Sequence, residues 1–98
     1  MAHATINLEE FYGLRVEIVL ELLHNGPMTQ TALVRELGTN AVVLKRHLNW
    51  LVRNNIVKTY GSVATLYEVN TEHPLIKWVV DFTNKLAFEN PRNQHPPH

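Results

Sequence analysis

Five residues of this 98-residue chain, Val42, Lys45, Arg46, Asn49 and Arg53, follow the spacing i, i+3, i+4, i+7, i+11. On an α-helix that spacing puts them on one face. Two guanidinium groups and an ammonium donate charge-assisted hydrogen bonds, an amide both donates and accepts, and a valine offers a methyl surface. This is the chemistry of recognising an anion. The charge along the chain agrees with it. Residues 1–36 carry two cations and five acids, residues 37–67 carry four cations and no acid, and residues 68–98 carry three cations and four acids. The molecule is neutral overall with one basic segment, which points to a local polyanion-binding surface. The competing reading of the same four cations is an ordinary solvated helix face.

Other chemistry finds little support. The chain has no Cys, which excludes disulfides, thiol nucleophiles and cysteine metal boxes. Six histidines are present, His3, His24, His47, His73, His95 and His98, and none forms the His-Glu-x-x-His pattern of a zinc hydrolase. His47 reads as a solvated helix residue beside the basic face, and His73 as part of a helix start. An interfacial metal site built from His73 with Glu72 or Asp81 is a remote alternative, and no metal or cofactor is expected. Ser62 is the only serine and Asp81 the only aspartate, and no Gly-rich phosphate loop occurs. No enzyme is expected.

The elements that must position the basic face follow from apolar periodicity. Asn7 caps a first helix in which Leu8, Phe11, Ile18, Val19, Leu22 and Leu23 recur until Asn25-Gly26-Pro27 ends the run. Thr29 caps a short second helix to Leu37, stopped by Gly38. After a turn through Thr39 and Asn40, one of which is the cap, a third helix runs to about Asn54 with Leu44, Leu48, Leu51 and Val52 as its core face. Asn54-Asn55 breaks it. Ile56–Tyr60 and Val63–Val69 read as strands joined by a two-residue turn at Gly61-Ser62, a register that sets Lys58 opposite Thr65 and Ile56 opposite Tyr67. Tyr60 and Tyr67 are the wing's candidates for base stacking. The fold class is therefore mainly α with a small hairpin, in the order α-α-α-β-β-α.

The last helix starts at Pro74 and runs to about Glu89. Its apolar residues cover more than one core contact requires, so Leu75, Trp78, Val79, Phe82 and Leu86 are expected at a twofold interface between two copies. Residues 1–89 form one domain on this reading. Residues 90–98, with three prolines and no periodicity, form a disordered tail. With no apolar run of membrane-spanning length and no basic-then-apolar leader, a cytoplasmic location is expected.

Over about residues 8–88 the chain resembles the winged helix-turn-helix regulators, in particular the small prokaryotic and archaeal proteins of the ArsR and MarR type. The resemblance is carried by Gly26-Pro27-Met28-Thr29-Gln30, Leu33 to Leu37, the Gly38-Thr39-Asn40 turn, Leu44 to Asn55 with Ile56-Val57, and Leu66-Tyr67-Glu68-Val69-Asn70 before His73-Pro74-Leu75. It implies a third helix in the DNA major groove, a wing along the backbone and a terminal dimerisation helix. Carried over by position, Lys45, Arg46, Asn49 and Arg53 face DNA, with Thr39, Asn40 and Val42 at the entering end and Thr29 and Gln30 at a phosphate. Asn49 then suits an adenine edge, Arg46 a guanine edge and Val42 a thymine methyl, while Lys45, Arg53 and Lys58 suit phosphates. The wing departs from the pattern, since Gly61-Ser62-Val63-Ala64 carries no cation. The function expected is a homodimeric, sequence-specific regulator binding double-stranded DNA, with a salt slope of roughly −4 to −7. The alternative is a winged-helix interaction module or adaptor that uses the last helix to bind another protein.

Overall fold

The computed structural model describes residues 10–89. The element order is α1 (Leu14–Asn25), β1 (Met28–Thr29), α2 (Gln30–Leu37), α3 (Ala41–Arg53), β2 (Val57–Tyr60), β3 (Leu66–Val69) and α4 (Pro74–Glu89). Three helices pack on one another, and a three-stranded antiparallel sheet of order β1-β3-β2 closes one side. The fold is α+β, as the periodicities imply. The core is a single cluster in which Ile18 and Val19 of α1, Leu33 of α2, Leu44, Leu48 and Leu51 of α3, Ile56 and Ile76 are all fully buried. Burying each such side chain contributes roughly 1.5–3 kcal/mol. Leu44, Leu48 and Leu51 thus fix the roll of α3 and leave its opposite face in solvent.

Local rules end each helix where the chain must turn. The Thr29 hydroxyl accepts from the Ala32 N–H at 3.2 Å, capping α2, and the Asn40 Oδ1 accepts from the Val43 N–H at 2.9 Å, capping α3. Asn40, and not Thr39, is the cap. At the far end of α3 the Ile56 N–H reaches the Leu51 carbonyl at 3.0 Å and the Asn55 N–H reaches that of Val52 at 3.0 Å, with Asn55 at φ 62°. That pair of bonds is a Schellman motif, and Ile56 packs into the core beside Leu51, so the chain leaves α3 directly into β2.

Three sequence expectations change. The first helix begins at Leu14, because Gly13 stands at φ 54°, ψ −124°, a backbone conformation that breaks the periodic run and that a side chain would resist. The cap expected at Asn7 and the packing of Leu8 lie outside the described residues, as does the tail expected at 90–98. Met28–Thr29, expected only as the approach to α2, pairs with β3 as a short third strand, Met28 opposite Tyr67. The hairpin register also differs: Lys58 pairs with Glu68 and Thr59 with Tyr67, so the connection spans residues 61–65 and not two residues. Burial favours this over the expected pairing, since the observed register puts Val57, Tyr67 and Val69 together on the core face and the expected one would turn Val57 to the opposite side.

Gly61 holds the longer connection. It sits at φ 116°, and a Cβ there would collide with the Ala64 carbonyl. Gly61→Ala is expected to lower the free energy of unfolding by about 1–3 kcal/mol, read from urea denaturation, and to leave helix content unchanged.

Candidate nucleic-acid interface

The exposed face of α3 is built as its spacing requires. Val42, Lys45, Arg46, Asn49 and Arg53 are all exposed, with Val42 at 77% of its full accessibility. Two adjoining concavities flank the face. The first is lined by Gln30 and by Ala41, Val42, Lys45, Arg46 and Asn49; the second lies between α3 and the hairpin and shares Lys45 and Asn49 with it. Gln30 joins the starts of the two helices, its Nε2 donating to the Ala41 carbonyl at 3.4 Å.

Of the residues expected at this surface, Gln30, Val42, Lys45, Arg46, Asn49 and Arg53 are brought together. Thr29 and Asn40 are engaged in capping, which leaves the Thr29 hydroxyl hydrogen as a donor. Thr39 lies half-buried in the turn. Lys58 is turned away. The observed register differs from the expected one by an odd number of residues, which moves every side chain of β2 to the other face of the sheet relative to β3. Lys58 therefore faces the side opposite Tyr67 and pairs with Glu68 at 3.9 Å, while Thr59 takes the place beside Tyr67. Tyr67 is 4% exposed and cannot act as a stacking platform; Tyr60, 47% exposed, retains that capacity.

The other flank of α3 is held by a cluster that periodicity does not show. Arg15 lies over the Trp50 ring at 4.3 Å and near that of Tyr12 at 5.7 Å. Its Nε donates to His47 Nδ1 at 3.0 Å and its Nη1 to the Glu10 carbonyl at 2.6 Å, while Trp50 Nε1 donates to the Glu10 carboxylate at 2.9 Å. These bonds tie the segment before α1 to α3 and fix the orientation of the basic face. His47 is thus a half-buried acceptor and not a solvated residue.

Both histidines of the core periphery accept through Nδ1, His47 from Arg15 and His73 from the Leu75 N–H at 3.0 Å at the start of α4. Each must be neutral to do so. Burial, then the Arg15 and Arg46 guanidinium groups, lower His47 from the ordinary histidine value; burial lowers His73, partly opposed by a hydrogen bond to the Asn54 backbone. With the folded-state values depressed, the unfolded chain binds more protons. The stabilisation is therefore complete above about pH 6.5 and is lost as the pH falls below it. Thermal melting is expected at a lower temperature at pH 5.5 than at pH 7.5, and His73→Gln with His47→Gln should flatten that dependence.

On α4, Trp78 and Phe82 stack at 5.3 Å with ring planes 7° apart, and with Leu86 they form an exposed stripe at i, i+4, i+8. Residues 81–86 are exposed throughout. Val79, expected in that stripe, is only 8% exposed and faces the chain's own core, and Leu75 is half-buried against it. Among the described residues no group of three or more His, Asp or Glu side chains is placed to hold a metal, and no helix is long and apolar enough to cross a membrane.

A basic helix set on a short helix by a capped turn, followed by a hairpin, defines a winged helix-turn-helix, and solved structures bear this fold out. HlyU from Vibrio cholerae N16961 aligns with TM-score 0.66 and 24% identity over 84% of this chain and 88% of that one. The transcriptional regulator HlyU from Vibrio vulnificus CMCP6 aligns with TM-score 0.66 and 23% identity over 81% of each chain. The Zalpha domain of Carassius auratus PKZ, solved in complex with Z-DNA, covers 56% of this chain and 89% of its own, with TM-score 0.53 and 24% identity. No protein-family model matches the chain, and no curated protein sequence matches it.

Proposed function

We propose that the protein is a homodimeric, sequence-specific transcription regulator of the ArsR and MarR type, with α3 in the major groove of double-stranded DNA. The observation that carries this reading is the exposed face of α3, which joins Lys45, Arg46 and Arg53 to Asn49 and Val42 without one carboxylate. Cations alone would serve any polyanion; the amide and the valine methyl among them are the groups that read base edges. The HlyU and Zalpha structures, one a transcriptional regulator and one a DNA complex, support the same reading. The second copy packs through Trp78, Phe82 and Leu86, because these three form an apolar stripe on α4 that stays exposed among the described residues. A twofold pair sets the two α3 helices against half-sites about one helical turn apart.

The test is fluorescence anisotropy of the full chain against the duplex upstream of its gene, a shuffled duplex of equal length and a left-handed duplex, each at two salt concentrations. A preference of about 100-fold for the first supports sequence reading. With Lys58 turned away, three cations per protomer remain on α3, and the salt slope is expected at about −3 to −5. Preference for the left-handed duplex moves recognition from base edges to backbone shape. Equal, salt-insensitive or absent binding favours the alternative, an interaction module or adaptor, which the neutral net charge and the uncharged connection at 61–65 would suit.

A further inference from the structure

Tyr67 is central in the sheet, between Met28 on β1 and Thr59 on β2, and its ring belongs to the core. Its hydroxyl nevertheless reaches the floor of the concavity between α3 and the hairpin, where Lys45 Nζ donates to it at 3.3 Å and lies 6.0 Å from the ring centre. An ammonium has only hydrogens to give. The phenol oxygen must therefore accept, and its own hydrogen remains available to a group in the concavity. Thr59 stands directly opposite Tyr67 on the same face of the sheet, Thr65 lies at the rim, and Asn49 and Arg53 close the α3 side.

Every polar side chain around this hollow can donate a hydrogen bond, two are cationic, and no carboxylate lines it. The carboxylate nearest along the strand, Glu68, points to the other face and is paired with Lys58. A cation would be repelled here, and the two positive charges attract a ligand of opposite sign. An oxyanion with several acceptor atoms satisfies all of them.

We propose that this concavity binds one tetrahedral phosphate, with Lys45 and Arg53 supplying charge, Tyr67, Thr59 and Thr65 supplying hydroxyl donors, and Tyr67 holding the Lys45 ammonium in position. In the DNA-bound state the phosphate is a backbone phosphodiester beside the bases that Arg46 and Asn49 meet. That source rests on the reading under Proposed function, whereas the anion chemistry does not.

The ¹⁵N-labelled full chain is titrated with inorganic phosphate at constant ionic strength, chloride replacing it in the control. Saturable shifts at the amides of Lys45, Thr59 and Thr65 are expected, weakened about tenfold by Tyr67→Phe, which removes a hydrogen bond to a charged group. Shifts that rise without saturating, or that Tyr67→Phe leaves unchanged, overturn the site. Because Tyr67 is a core residue, Thr59→Val at the exposed rim provides a second variant whose fold is not at risk, and it should weaken phosphate in the same direction. Anisotropy with duplex DNA then separates the sources. If both variants weaken the duplex and reduce its salt slope by about one, the phosphate is a backbone group. Saturable phosphate with duplex binding unchanged in both variants retains the anion site and overturns the backbone source. Loss of duplex binding as a whole is read independently, from Arg46 and Asn49.

Discussion

Arg46→Ala combined with Asn49→Ala is expected to abolish specific DNA binding while the protein folds and assembles as before. Both side chains are exposed on α3 and neither belongs to the core, so truncation removes contacts without opening a cavity. A bidentate base contact is worth about 1–3 kcal/mol of discrimination. The pair should therefore cost about 2–6 kcal/mol per half-site, or roughly 30-fold to 10⁴-fold in affinity. Anisotropy at fixed salt gives the loss, and circular dichroism with gel filtration confirms that helix content and mass are unchanged. The pattern across sequences is as informative as the size. Loss of a base-reading contact should collapse the preference for the specific duplex, whereas Lys45→Ala or Arg53→Ala should weaken specific and shuffled duplexes alike. If the double variant binds the specific duplex as the parent does, α3 is not the reading element.

Trp78→Glu is expected to halve the mass of the protein in solution. The indole is 60% exposed in the isolated chain and stacks on Phe82, so the substitution spares the core while placing a carboxylate at the centre of the stripe. An aromatic anchor truncated in an interface commonly costs about 2 kcal/mol or more. A twofold interface counts each substitution twice, which brings the loss to about 4 kcal/mol, roughly a thousandfold in the dimer dissociation constant. Sedimentation velocity at micromolar concentration reads this directly. Val79 is unsuited to the same test, since it is buried within its own chain and a charge there would unfold the monomer. A parent that sediments as a monomer would instead leave the α4 stripe to a different protein and favour the adaptor reading.

The parts of the molecule legible in the sequence are those whose causes are local. The α3 face follows from i, i+3, i+4 spacing and its end from Asn54-Asn55, because capping and periodicity depend on a few neighbouring residues, while the cap is narrowed to Thr39 or Asn40 and the structure selects Asn40. The α2 cap at Thr29 and the start of α4 at Pro74 were legible for the same reason. The first helix was overextended where Gly13 interrupts an otherwise continuous apolar pattern. Periodicity counts which residues are apolar and cannot register a single backbone angle that ends the run.

Register and partnership belong to the tertiary structure. Two strands of alternating residues can pair in several ways, and the choice between them is made by what the sheet faces: β1 supplies a third strand across from Tyr67, and the core accepts Val57, Tyr67 and Val69 together. That choice removed Lys58 from the candidate site and brought in Thr59, since a shift by an odd number of residues exchanges the two faces. The Arg15, His47, Trp50 and Glu10 cluster joins residues up to 40 positions apart and has no periodic trace. The sequence by itself determined the second and third helices, the turn between them, the start of the fourth and the composition of the basic face, because those are set by interactions within one or two turns of chain. Only the tertiary structure decided which hairpin face meets α3, how Lys45 is held against Tyr67 and which apolar residues of α4 remain uncovered, because burial compares whole arrangements of the chain and the free energy of one contact depends on all the others that form with it.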